Sequence, residues 1–342
     1  QFAGVNAVSE CHTLLLGLPS LAAGLVDGFE KPLHTAAFLA ELATGFGKLL
    51  HRHEQLFQIR VGLNDGGKLR KRTVKIPAGE LQVRELEQGI AVAGHDHLGH
   101  GGSLPEGGTP VYFGDGTPWE TVVADIQLLH EQLRREFCGV PLCLMGHSMG
   151  SFLARSYLIR YPGTLRAAII MGTGWQPQAK LVGGRAVAEV ICAAQGPSSA
   201  SKLVNDLAFG GYNKAFAPNR TGYDWLSADS ENVDRYIADP LCGADATVGL
   251  FRQMLHGIAF NQNPKNLARM DSNLPVLLIS GDRDPVGDMG KGVRRTADAF
   301  RKAGLSDVTL KLYPGLRHEI LNEGPMRQTV YEDIWHWLEP HL

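Results

Sequence analysis

The chain has 342 residues, with 33 basic against 35 acidic side chains and a formal charge of −2. That length holds one large α/β domain with an insertion, or two ordinary domains, and it buries enough surface to need no covalent staples. The near-neutral charge sets up no global field for nucleic acid or an anionic membrane, so neither is expected as a partner.

Residues 1–85 show no clear alternation of elements. Their longest apolar run, "LLLGLPSLAAGLV" from Leu14 to Val26, is broken by Pro19. It falls short of the roughly 18 residues of a membrane span, and no basic region precedes it, so neither an integral span nor a signal peptide is expected. His51 and His53 read as solvated, and "KLRKR" (Lys68 to Arg72) reads as a solvated surface turn. The five cysteines, Cys11, Cys138, Cys143, Cys192 and Cys242, are scattered and lack C-x-x-C spacing. That excludes a disulfide framework and a structural zinc site, and fits a reducing, cytoplasmic setting.

From about Gln88 strands and helices alternate as in a parallel sheet with crossover helices. "GIAVAG" (Gly89 to Gly94) is a short buried strand. A helix follows, with Thr117 as N-cap, Pro118 at its first position and Glu120 completing a capping box. Trp119, Val122, Val123, Ile126, Leu129 and Leu133 share the face expected to meet the sheet. "PLCLMG" is the next strand, and a helix opens at Ser148. "LRAAIIMG", "LPVLLISG" and "VTLKLYP" are further strands. A helix with Val293, Ala297 and Phe300 on one face ends near Gly304, and "YEDIWHWL" closes the chain. Between Thr173 and about Asn273 a helical, loop-rich stretch interrupts the alternation and reads as a lid over the strand ends.

"GHSMG", Gly146 to Gly150, places a serine between glycines where a buried strand meets a helix. This is the G-x-S-x-G pattern of a nucleophile elbow. A turn so tight strains the serine backbone, lifts Oγ above the sheet and aims the Met149 N–H at a substrate oxyanion. Such a serine needs a base and an orienting carboxylate, which follow it in the order Ser, Asp or Glu, His. "GDRDPVG" supplies Asp282 and Asp284 after one strand, and "RHEILNE" supplies His318 after the next. Asp284 is favoured as the carboxylate, with Asp282 shaping the turn. His95, Asp96, His97 and His100 in "HDHLGH" do not have a zinc spacing, so no metal is expected. "GHGGS" lacks the lysine of a phosphate loop.

Together "GHDHLGHGGS", "GHSMGSFLARSYLIRYP", "GDRDPVG" and "RHEILNE" resemble the α/β-hydrolase superfamily, in its lysophospholipase and monoacylglycerol-lipase-like branch of serine aminopeptidase S33-type hydrolases. "YDWLSADSENVDRYIADPLCG" is similar to bacterial members of that branch. The resemblance implies a mostly parallel central sheet with flanking helices and a helical cap. It implies Ser148, Asp284 and His318 as catalytic residues, the Met149 N–H as one oxyanion donor, and neither cofactor nor metal. The expected division is a hydrolase core at 86–172 and 264–342, a cap at 173–263 and an N-terminal segment at 1–85 that departs from the family. Trp225 is expected in the cap core or lining the acyl pocket.

Family members carry a His-Gly motif after an early strand, and its loop supplies the second oxyanion N–H. "RTVKIPAGELQVRELEQ" has no such motif; Pro77-Ala78-Gly79 and Gly17-Leu18 are the conceivable substitutes, and the second donor stays unassigned. The expected function is hydrolysis of a small acyl ester: a monoacylglycerol, a lysophospholipid or a short acyl ester. The alternatives are a peptidase or amidase on the same three residues, or a hydrolase-fold binding protein impaired by the missing motif. If His318 is the base, kcat/KM falls on the acid side of neutrality.

Overall fold

The computed structural model describes residues 12–16, 56–60, 71–76, 79–85 and 91–342. The elements are β1 (His12–Leu16), β2 (Leu56–Arg60), β3 (Lys71–Ile76), β4 (Gly79–Glu85), β5 (Ala91–Gly94), α1 (Pro118–Glu136), β6 (Leu142–His147), α2 (Met149–Arg160), β7 (Ala167–Met171), α3 (Gln178–Gln195), α4 (Lys202–Phe209), α5 (Ser230–Ala238), α6 (Val248–Asn261), α7 (Pro264–Leu267), β8 (Val276–Gly281), α8 (Lys291–Lys302), β9 (Val308–Tyr313) and α9 (Met326–Leu338). Among the described residues the strands form one sheet in the order β3-β4-β5-β2-β1-β6-β7-β8-β9. The expected α/β-hydrolase class is what is found.

The parallel run is β6 to β9. Strands covered on both faces read as near-continuous apolar runs, and β6, β7 and β8 are buried throughout. Their side chains alternate between two cores. Leu144, Ala168, Ile170, Val276 and Leu278 meet Trp119, Val123, Ile126, Phe152 and Phe300 of α1, α2 and α8. Cys143, Met145, Ile169, Leu277 and Ile279 meet Val330, Tyr331 and Ile334 of α9.

Thr117 is the N-cap of α1, but its side chain makes no capping bond. The expected capping box does not form: Glu120 receives a hydrogen bond from Arg160 at 2.9 Å, an ion pair that ties α1 to α2. α8 carries the expected Val293, Ala297 and Phe300 face, fully buried, and Gly304 follows it at φ +106°.

In the inserted stretch, α6 is packed on the core. A Cβ on Gly257 would lie 2.1 Å from the Trp119 indole. A buried chain runs from Trp119 Nε1–H to Ser156 Oγ (3.0 Å), from Ser156 Oγ–H to Asn261 Oδ1 (2.7 Å), and from Asn261 Nδ2–H to the Phe152 carbonyl (2.7 Å). Satisfied polar groups of this kind fix one helix packing among several apolar ones. Fully buried Arg155 reaches from α2 to the Gly174 carbonyl (2.9 Å) and Thr173 Oγ1 (3.2 Å), where the insertion leaves β7.

No helix among the described residues is long and apolar enough to cross a membrane. His51, His53 and Lys68 to Arg70 lie outside the described residues, while Lys71 and Arg72 open β3.

Candidate active site

β6 ends at His147, α2 begins at Met149, and Ser148 alone makes the turn, at φ +54° and ψ −121°. A non-glycine residue there is strained and persists only where its surroundings over-determine it. Here the Ser148 N–H is held by the Met171 carbonyl at 3.0 Å, and its own carbonyl accepts from Ser151 N (2.9 Å) and Ser151 Oγ (2.6 Å). Gly146 has no room for a side chain, since a Cβ would lie 2.4 Å from the Gly150 carbonyl oxygen. Met149 N–H is the first donor of α2 and has no acceptor within its own helix.

His318 and Asp284 come from the loops after β9 and β8, and parallel pairing brings those two strand ends side by side. Ser148 Oγ lies 2.7 Å from His318 Nε2, and Asp284 Oδ2 lies 3.0 Å from His318 Nδ1. With a carboxylate accepting at Nδ1, the neutral ring carries its proton there and leaves Nε2 to accept from the serine. All three side chains are buried to within 1% exposure, so these contacts face little competition from water. Burial pushes the Asp284 pKa up, but His318 beside it and hydrogen bonds from Val286 N–H (2.9 Å) and Ser280 Oγ (3.0 Å) outweigh that, and the net shift is downward. Asp282 turns the other way and accepts from Gly315 N–H at 2.8 Å, joining the ends of β8 and β9 as a turn residue does.

Two contacts at His318 have no signal in the sequence. Trp225 packs tilted against its ring with centroids 5.1 Å apart, and Tyr212 packs 5.1 Å from the same indole. His147, the variable position of the G-x-S-x-G turn, donates from Nε2 to the His318 carbonyl at 3.1 Å. Burial first, then neighbouring His318, lowers the His147 pKa to about 3, so it stays neutral and keeps that donor. Gly172, at φ +58°, leaves space for both rings: a Cβ would lie 2.9 Å from His147 and 3.1 Å from His318.

The "HDHLGH" loop folds on itself. Asp96 Oδ2 accepts from Gly102 N–H (2.6 Å), Ser103 Oγ donates to the Asp96 carbonyl (2.7 Å), and His100 Nδ1 donates to the Leu98 carbonyl (2.9 Å). Burial lowers the pKa of His95 and His100 to about 4, and that of His97 well below the usual value. Among the described residues no group of His, Cys, Asp or Glu could hold a metal ion.

The second oxyanion donor stays unassigned among the described residues. Gly17-Leu18 and Pro77-Ala78 lie outside them. β1 runs antiparallel to β6, so Leu16 pairs with Leu142, at the end of β6 remote from Ser148. Gly79 opens β4, four places from β6 in the sheet, roughly 19 Å away at the usual strand spacing.

Residues 82–325 match the family model described as serine aminopeptidase, S33. The chain belongs to this family. A monoacylglycerol lipase of Mycolicibacterium smegmatis is 30% identical over 254 residues, covering 74% of this chain and 80% of the relative. Human monoglyceride lipase is 25% identical over 312 residues, covering 91% of this chain and 85% of the relative. Among solved structures, a thermostable carboxyl esterase of Bacillus coagulans superposes with a TM-score of 0.71 at 20% identity, covering 80% of this chain and 98% of that one, which speaks to the fold. With this kinship the chain is a carboxylic-ester hydrolase.

Proposed function

We propose that the chain hydrolyses monoacylglycerols or closely related single-chain acyl esters through an acyl-enzyme on Ser148. The observation that carries this reading is the hydrogen-bonded series Ser148–His318–Asp284 at a strained strand-to-helix turn. The two relatives named for monoacylglycerol or monoglyceride hydrolysis support the substrate class.

Ser148 Oγ attacks the ester carbonyl while His318 Nε2 takes its proton. Asp284 holds the Nδ1–H tautomer and stabilises the imidazolium that forms. The Met149 N–H donates to the oxyanion, with α2 behind it favouring negative charge. His318 then protonates the departing alcohol, and water, deprotonated by the same ring, releases the acid. Residues 173–263 act as the cap over the acyl chain, and the core is 86–172 with 264–342. Cys138, Cys143, Cys192 and Cys242 form no disulfide among the described residues, which fits a cytoplasmic setting.

The test is turnover of monoacylglycerols of graded chain length, with Ser148→Ala as control. Glycerol release lowered by on the order of 10⁴-fold or more in the variant is expected. Equal turnover by Ser148→Ala would remove the mechanism. The family's description as an aminopeptidase favours a second reading, amide cleavage. Preference for an aminoacyl anilide over the matching ester would move it ahead.

A further inference from the structure

Two stretches singled out in the sequence, "YDWLSADSENVDRY" and "RHEILNE", leave residues with no task in the mechanism. In the structure they interlock. The Glu323 side chain, 3% exposed, ends "RHEILNE" and reaches both. Its Oε1 accepts the Arg317 N–H at 2.8 Å, the residue immediately before His318. Its Oε2 accepts from Ser227 Oγ (2.9 Å), Ala228 N–H (2.8 Å) and Asp229 N–H (3.3 Å) in the inserted stretch.

Other bonds run alongside. The Glu319 N–H donates to the Leu226 carbonyl (2.8 Å), and Asn232 Nδ2 donates to Glu319 Oε2 (2.6 Å). The Arg317 guanidinium donates to the carbonyls of Asp224 and Ser227 and lies 4.1 Å from the Phe216 ring centroid. Within this seam Trp225 rests on the His318 ring.

Burial holds the Glu323 pKa above the usual carboxylate value, and the four hydrogen-bonded donors offset part of that rise. A carboxylate buried so deeply is costly unless all its acceptor positions are used. This one faces four N–H or O–H donors drawn from two segments some 90 residues apart in sequence.

We infer that Glu323 is a positioning residue for His318: its carboxylate clamps the backbone beside His318 to the Ser227–Asp229 segment, so that the base is in register with Ser148 only while that segment is docked. The inference rests on the reading of His318 as the general base. Glutamine is nearly isosteric but has one acceptor oxygen, and its NH₂ must face N–H donors on one side of the clamp. An error of about 1 Å in a reacting group can cost on the order of 100-fold.

The test is Glu323→Gln, assayed on p-nitrophenyl butyrate with active sites counted by the endpoint of fluorophosphonate labelling. Expected is kcat per labelled site lowered on the order of 10- to 100-fold with KM little changed. Ser227→Ala should move kcat per site in the same direction but less, and it carries the test should Glu323→Gln fail to fold. A merely structural role would lower the melting temperature or the number of labelled sites and leave kcat per site at the wild-type value; that result overturns the inference. His318→Ala separates the two ideas. If that variant keeps wild-type turnover, the base assignment fails; if it is dead while kcat per site survives in Glu323→Gln and Ser227→Ala, the inference alone fails.

Discussion

Asp284 lies 3.0 Å from His318 Nδ1 and is fully buried, where its charge offsets the one that forms on the imidazole. Asp284→Asn preserves shape but presents either an oxygen without charge or an N–H at that nitrogen. The prediction is a kcat lower by on the order of 10⁴-fold, read on a short ester at neutral pH, with folding retained. A drop of tenfold or less would point to another carboxylate. Ser148, Asp284 and His318 stood out as candidates in the sequence, because each follows a strand of the parallel run and their order along the chain is fixed by topology. Asp282 could be set aside on turn chemistry, and its bond to Gly315 agrees. Glu323, His147 and the Trp225 contact were not legible as partners of His318. Trp225 and His147 reach it from 90 or more residues away in sequence, and Glu323 holds not His318 itself but the neighbouring Arg317 N–H, which no side-chain pattern marks. The motif "RHEILNE" was on view, but nothing in its spacing says what the final glutamate holds.

At the scale of elements, β8 and the loop after β9 are packed backbone against backbone. A Cβ on Gly281 would lie 2.1 Å from the Leu316 carbonyl oxygen and 2.2 Å from that of Arg317. Neither oxygen belongs to a flexible side chain that could swing away. Gly281→Ala should therefore push the His318 loop outward, costing about 1–3 kcal/mol of stability. Ester turnover should fall with it, while Ser148 keeps its strained turn. Urea denaturation and kcat on one sample check both; unchanged kcat would mean that the loop absorbs the methyl group without moving His318. Strands β6, β7 and β8 were legible because burial on both faces gives a near-continuous apolar run. The capping box read on α1 does not form, since Arg160 competes for Glu120 from another helix. Strands β1 to β4 show no such run and pair mainly antiparallel, which composition alone does not signal.

For the molecule as a whole, an unusual set of neutral histidines is buried. His95, His100 and His130 have pKa values lowered to about 4 and His147 to about 3, with burial the largest cause in each. In the unfolded chain these rings titrate near 6.5. Between those values the unfolded state binds more protons than the folded state, so stability falls as pH drops below about 6.5 and is insensitive to these groups above it. Urea midpoints should change little from pH 8 to pH 7 and decline steadily towards pH 5. His130→Phe should flatten part of that decline, because neither ring nitrogen of His130 has a hydrogen-bond partner among the described residues. A midpoint independent of pH over this range would show that the rings are solvated or paired.

The claim that joins these scales is that Ser148 is an activated nucleophile, raised by a strained turn and deprotonated by His318. Covalent labelling with a fluorophosphonate, read by intact mass and peptide mapping, tests it most directly. A single adduct on Ser148 is expected, absent from Ser148→Ala and strongly slowed in His318→Ala. A folded sample that takes up no label, or one whose adduct survives Ser148→Ala, would contradict it.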